Sequence, residues 1–160
     1  MSHWPSTSDL HEFLFGSERA RLAAVKPILN EFQHGACFYC RRALRYECAH
    51  VDHFIPWSRH PVDLGHNFVL AHASCNAKKS DRLAYADHLN AWVEHAERFA
   101  PDLARESNRG GIVHDFPTSV KIVNWAYSQT FDCHGLTWVR MDELQALPPD
   151  WNQTLKRRLN

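Results

Sequence analysis

Apolar positions recur at helical spacing near both ends of this chain and at strand spacing in the middle. Leu22, Val25, Ile28, Leu29 and Phe32 share one face of a helix predicted from Glu18 to about Gln33, with Ser17 placed to cap its first turn. Pro27 lies inside and is expected to kink or split it, because proline lacks an N–H and crowds the carbonyl four residues back. Gly35 is expected to end it. Over residues 43–56 the pattern becomes alternation, with Tyr46, Cys48, His50 and Asp52 set against Arg45, Glu47, Ala49 and Val51 and Pro56 closing the run, which reads as extended structure. Residues 57–66 read as a polar loop with turns at His60-Pro61 and Leu64-Gly65. Residues 67–71 (Asn-Phe-Val-Leu-Ala) read as a second strand, and Ala73 to about Asp81 as a short helix.

A longer helix is predicted from Tyr85 to Leu103, with Leu89, Trp92, Val93, Ala96, Phe99 and Ala100 in its core-facing stripe. Polar residues 105–111 read as a loop. A further helix is predicted from Thr118 to about Thr130, with Val120, Ile122, Val123, Trp125 and Tyr127 as core candidates. The tail beyond Leu147-Pro148-Pro149, basic at Lys156, Arg157 and Arg158, carries no chemistry of its own. The fold class is therefore α+β and mainly helical. A central segment 35–82 lies between an N-terminal helical segment 1–34 and a helical extension 83–160, and the whole has the size of one compact domain.

With 160 residues the chain can bury a real core, so a metal would support one region rather than the whole fold. No apolar run approaches the roughly 18 residues a membrane helix needs. The first residues lack the basic start and apolar core of a signal peptide, so a cytoplasmic location is expected. Net charge is zero and advertises no nucleic-acid partner, although Gly35 to Arg82 holds seven Lys or Arg against four Asp or Glu. Five cysteines, at 37, 40, 48, 75 and 133, suit metal ligation or burial better than disulfides in a reducing compartment. Of twelve histidines, five (at 50, 53, 60, 66 and 72) fall inside the segment bounded by Cys37 and Cys75.

The cysteines supply the first chemistry. Cys37-x-x-Cys40 directly follows the glycine that ends a helix and can form a tight knuckle whose thiolates converge on one ion. His72-x-x-Cys75 begins a predicted helix, where residues three apart share a face. Three thiolates and an imidazole make a closed tetrahedral site for a structural Zn²⁺, with no open position for a reaction. The alternative is that His72 is an ordinary core histidine and Cys48 the fourth ligand. Cys133 is expected to be a buried hydrophobe.

Between the two ligand pairs lies His50-Val51-Asp52-His53-Phe54-Ile55-Pro56. Neighbours in a regular strand face opposite ways, so Asp52 and His53 could not serve one metal from it. If the strand is ending there they can divide the work, with a carboxylate for a divalent cation and an imidazole for a water. Asn76, in the first turn after the last zinc ligand, brings a side-chain oxygen near Asp52 if the hairpin packs on that helix.

The order Cys37/Cys40, Asp52-His53-Phe54-Ile55-Pro56, Asn67 and Cys75-Asn76-Ala77-Lys78 resembles the HNH endonucleases and their ββα-metal, treble-clef-like fold. The resemblance covers about residues 35–82. Phe32-Gln33 ahead of the knuckle and Pro56-Trp57-Ser58 after the Asp-His pair look like stand-alone bacterial HNH proteins, some of them associated with phage defence. Two departures stand out: Asn76 ends the name-giving trio in place of His, and His72 stands where many members carry Cys. A hard oxygen donor at 76 suits Mg²⁺ or Mn²⁺.

The resemblance implies a one-metal hydrolysis of double-stranded DNA that leaves a 5′-phosphate and a 3′-hydroxyl. Asp52 and Asn76 would hold the cation. His53 would be the general base, imidazole having an ordinary pKa of about 6.5, and Asn67 would brace the loop that orients it. Arg59, Lys78 and Lys79 are the expected phosphate contacts, while His50, His60 and His66 are not expected as ligands. An enzyme with one site that cuts two strands works as a pair, which makes a homodimer an expected state. The competing reading is a non-catalytic treble-clef zinc module that binds nucleic acid or protein. RNA or branched DNA would keep the chemistry and change the substrate.

Overall fold

Helix α1 (Thr7–Phe32) turns its apolar stripe inward, with Val25 and Leu29 fully buried and Leu22, Ile28 and Phe32 packed beside them. The structure is a computed structural model that describes residues 7–59, 65–110 and 114–159; His60-Pro61 and Leu64, where turns are expected, lie outside them. Ser17 does not cap α1, because the helix has already begun at Thr7 and continues through it. Nor does Pro27 split it. Pro27, Ala23 and Ala24 are all exposed, so the carbonyl that loses an N–H partner faces water. The helix closes through His34 and Gly35, at φ 53° and 65°, with the Gly35 N–H donating to the Asn30 carbonyl at 2.9 Å. Glycine carries that left-handed turn at no steric cost.

The expected extended run is shorter than its alternation. Ala43 makes only an isolated bridge to Ala36, and Tyr46–Cys48 form a 3₁₀ turn. Residues 45–48 are all exposed, so their alternation has no apolar face to bury against a core. Strand β1 (Ala49–His53) begins where Ala49 becomes buried. It pairs antiparallel with β2 (Phe68–His72) in the register Ala49↔His72, Asp52↔Val69 and His53↔Phe68. Both faces of β2 are covered, Phe68 and Leu70 by Val25, Leu29, Phe99 and Leu103, Val69 and Ala71 by the cluster that contains Phe38. That is why its sequence is apolar without alternation. Helix α2 (Ala73–Lys79) follows β2 directly and packs on both strands; it stops before Asp81 because Ser80 takes φ 53°.

Helix α3 (Ala86–Gly110) buries Leu89, Trp92, Val93, Ala96, Phe99 and Leu103. Residues 105–110 are helical rather than the expected loop, since adding residues to an existing helix costs far less than starting one. Residue 111 lies outside the described residues. Helix α4 (Phe116–Asp132) begins earlier than Thr118 because Asp115 caps it, its carboxylate accepting the Thr118 N–H at 3.0 Å. Val120, Val123 and Tyr127 are buried, but Trp125 is 55% exposed. At about 100° per residue, Trp125 lies roughly 200° round the helix from Val123, outside the stripe. Cys133 is also exposed, at the capping position after α4.

A second hairpin, β3 (Leu136–Arg140) with β4 (Glu143–Ala146), is absent from the sequence expectations. Its turn is Met141-Asp142, with Met141 at φ 46°, and not the Asn-Gly or Asp-Gly pair that marks such turns. Trp138 docks the hairpin on the segment before α3: its N–H donates to the Leu83 carbonyl at 2.8 Å and its carbonyl accepts from Tyr85 at 2.7 Å. The basic tail forms α5 (Gln153–Leu159), held on α3 by buried Leu155, by Thr154 donating to Asn90 at 2.7 Å and by Arg158 paired with Glu97. One core therefore runs from Cys37, Phe38 and Phe54 through Trp92, Val123 and Tyr127 to Trp138 and Leu155. Among the described residues no helix is long and apolar enough to cross a membrane.

Candidate metal centre and active site

The turn after α1 is a knuckle. The Cys37 N–H donates to the Arg42 carbonyl at 2.9 Å, the Arg41 N–H returns to the Cys37 carbonyl at 3.0 Å, and Arg41 adopts φ 62°. Gln33 fastens the knuckle to β2. Its Nε2 donates to the carbonyls of Ala36 and Leu70 at 2.9 and 2.8 Å, and its Oε1 accepts the Leu70 N–H at 2.8 Å. His72 ends β2, and Cys75 lies in the first turn of α2.

These elements bring the ligand atoms of Cys37, Cys40, His72 and Cys75 within 4.8 Å of one another. The His72 Nδ1 lies 3.2 Å from the Cys40 sulfur, while Nε2 points away to the Ala43 carbonyl at 3.1 Å. A hydrogen bond on the far nitrogen fixes the ring and leaves the near one to a metal, as metal-bound imidazoles require. Burial and the neighbouring Cys37 and Cys40 thiols push the Cys75 thiol up to about 12, whereas the Cys37 thiol, although burial raises it, is brought below its usual value by the backbone N–H groups of Cys40, His72 and Tyr39. The donor set fits Zn²⁺. Cys48 is exposed and does not belong to the group.

Asp52 and His53 leave β1 on opposite faces, and the strand ends at His53. On the face toward α2, Asp52 is 8% exposed; its Oδ2 accepts the Tyr39 hydroxyl at 2.5 Å and lies 3.2 Å from the Lys79 ammonium. Lys79 is fully buried and also donates to the His53 carbonyl at 3.0 Å. Sequence reading put Lys79 on the surface as a phosphate contact. The structure instead commits it to Asp52 and to the end of β1. Burial lowers the Lys79 pKa while Asp52 opposes the shift, and burial together with Asp52 holds the Tyr39 phenol well above its usual value.

The His53 ring lies edge-on to Phe68 and Trp57, at centroid distances of 5.0 and 5.6 Å. The stretch after it is clamped by Asn67. Ile55 donates its N–H to Asn67 Oδ1 at 2.7 Å, Nδ2 returns to the Ile55 carbonyl at 2.9 Å, and Phe54 N–H donates to the Asn67 carbonyl at 2.7 Å. Asn76 is half-buried on α2, which packs on β1, so Asp52 and Asn76 belong to touching elements. Arg59 is exposed, and so is Lys78, whose ammonium pairs with Asp142 at 2.5 Å. His50 is exposed, His66 is buried behind Phe116, and His60 lies outside the described residues.

Residues 37–82 match the family model described as HNH endonuclease. That match lies over the β1–β2–α2 unit, whose three cysteines and one histidine are placed for zinc, and is consistent with an HNH family member. The HNH segment supports a nuclease in general. No curated protein matches the chain. Sequence reading missed two residues of this site. Tyr39 was only a spacer between ligands, and Gln33 only a residue ahead of them; their signal is that both are large polar side chains flanking a metal turn.

Proposed function

We propose that the chain is a metal-dependent DNA endonuclease. What supports the reading is the β1–β2–α2 unit with its zinc-fitting ligand group: Asp52 and His53 lie at the end of one strand, and Asn76 lies on the helix that packs on that strand. A divalent cation held by Asp52 and Asn76, Mg²⁺ or Mn²⁺, would supply charge stabilisation at the scissile phosphate and the leaving 3′ oxygen. Their oxygen donors fit such a hard ion. Both donors to Asp52 fall on Oδ2, which leaves Oδ1 as the oxygen to turn toward the ion. His53 takes the proton of the attacking water on a ring nitrogen. Asn67 keeps His53 in place by fixing the backbone two residues on. Arg59 and Lys78 meet phosphates; the exposed Lys78–Asp142 pair is weak enough to exchange for one. The products carry a 5′-phosphate and a 3′-hydroxyl. Thiols at a zinc centre suit a reducing, cytoplasmic setting.

Supercoiled plasmid incubated with the protein and Mg²⁺ or Mn²⁺ should be nicked or linearised. His53→Ala should lose at least about a hundredfold in rate, the scale general-base catalysis contributes, and EDTA should abolish cutting. Identical behaviour of wild type and His53→Ala would leave only a zinc module that binds nucleic acid or protein.

A further inference from the structure

Tyr39 sits between two zinc ligands, yet its hydroxyl is spent on Asp52. We propose that Tyr39 is a positioning residue that ties the zinc knuckle to the carboxylate meant for the catalytic cation, so that the orientation of Asp52 depends on the Cys37–Cys40 turn. The inference rests on the endonuclease reading and deepens it.

The side chain is 5% exposed and donates to Asp52 Oδ2 at 2.5 Å, a charge-assisted hydrogen bond in a water-poor setting. Its ring cannot swing aside. Phe38, His88 and Trp138 each meet it edge-on, at centroid distances of 5.2, 5.4 and 5.3 Å. The backbone carrying it is closed by the Cys37–Arg42 and Arg41–Cys37 hydrogen bonds. Lys79 approaches the same carboxylate oxygen from α2 and sits 5.9 Å from the Tyr39 ring centroid. The carboxylate is thus held between a neutral donor on the knuckle and an ammonium on the helix. Without the hydroxyl it is free to turn wholly onto Lys79, and the oxygen left for a cation is no longer fixed. Packing alone would be served as well by phenylalanine; the hydroxyl is what reaches Asp52.

The test titrates Mn²⁺ into zinc-loaded protein by calorimetry for wild type, Tyr39→Phe and Asp52→Asn, with zinc content, melting temperature and plasmid cleavage measured alongside. The expected result is that Tyr39→Phe binds Mn²⁺ about tenfold more weakly, the scale of one charge-assisted hydrogen bond. Its kcat should fall in step, with KM for DNA and zinc content unmoved, and Asp52→Asn should lose the Mn²⁺ site. If Asp52→Asn loses Mn²⁺ but Tyr39→Phe binds it as wild type does, the link is wrong and the endonuclease reading stands. If Asp52→Asn binds Mn²⁺ like wild type, the reading falls and the link with it. Should Tyr39→Phe fail to hold zinc, proton NMR of the wild type decides. A slowly exchanging, downfield hydroxyl proton that vanishes in Asp52→Ala and moves on adding Mg²⁺ supports the link, and its absence overturns it.

Discussion

Asn67 closes both backbone polar groups of Ile55 with one side-chain amide, and it does so while buried. Asn67→Ala would orphan a buried N–H and a buried carbonyl together, a loss of about 2–6 kcal/mol at the cost of roughly 1–3 for each unsatisfied group. Chemical denaturation should show that loss, and cleavage should slow while Mn²⁺ affinity holds, since Asn67 touches the His53 side of the site and not Asp52. Asn67 was legible in the sequence because it belongs to a spaced motif. Lys79 was not. Lys78 and Lys79 are adjacent and chemically identical, but about 100° of helix separates them; one therefore meets Asp142 in water and the other Asp52 in the core.

At the scale of elements, the knuckle, the hairpin and α2 are one mechanical unit because a single ion would join the ends of all three. With the Cys75 thiol pushed up to about 12, the metal-free protein holds that proton at neutral pH, and zinc must displace it. Zinc affinity should therefore fall as pH falls, by about tenfold per unit for each proton displaced, which a competition titration with a chromogenic chelator measures. Removing the metal should speed amide exchange at Phe38, Leu70 and through α2 far more than along buried α3, and equal protection across the chain would contradict this. Element positions were legible where burial and periodicity agree, as in β2, α3 and α4. They were misread where polarity stood in for conformation: residues 45–48 alternate without a face to bury, and residues 105–110 are polar yet helical. The β3–β4 hairpin escaped because its turn lacks the glycine that announces one.

The whole molecule carries a built-in sensitivity to acid. Burial lowers His66 and His95 to about 4, and the ring nitrogens concerned (Nδ1 of His66, both of His95) are shielded with no hydrogen-bond partner among the described residues. His95 is packed against Phe32, Phe38 and Phe99. Both folded values lie below the unfolded value of about 6.5, so the unfolded chain binds more protons between about pH 6.5 and 4 and stability drops as pH falls through that window. Melting temperature should decline from pH 7 to 4.5. His95→Phe should decline less than wild type at the same pH values, a comparison that cancels any loss of zinc common to both. A parallel decline would remove His95 from the account. Read alone, the sequence picked out the Cys37, Cys40, His72 and Cys75 group and the strand–strand–helix order, because ligand spacing and local periodicity are properties of neighbouring residues. Only the tertiary structure decided that Tyr39 and Lys79 share Asp52, that Gln33 and Asn67 clamp the hairpin, and that Trp125 and Cys133 face solvent. Each of those depends on which faces of sequence-distant elements meet, and that is settled by packing one common core.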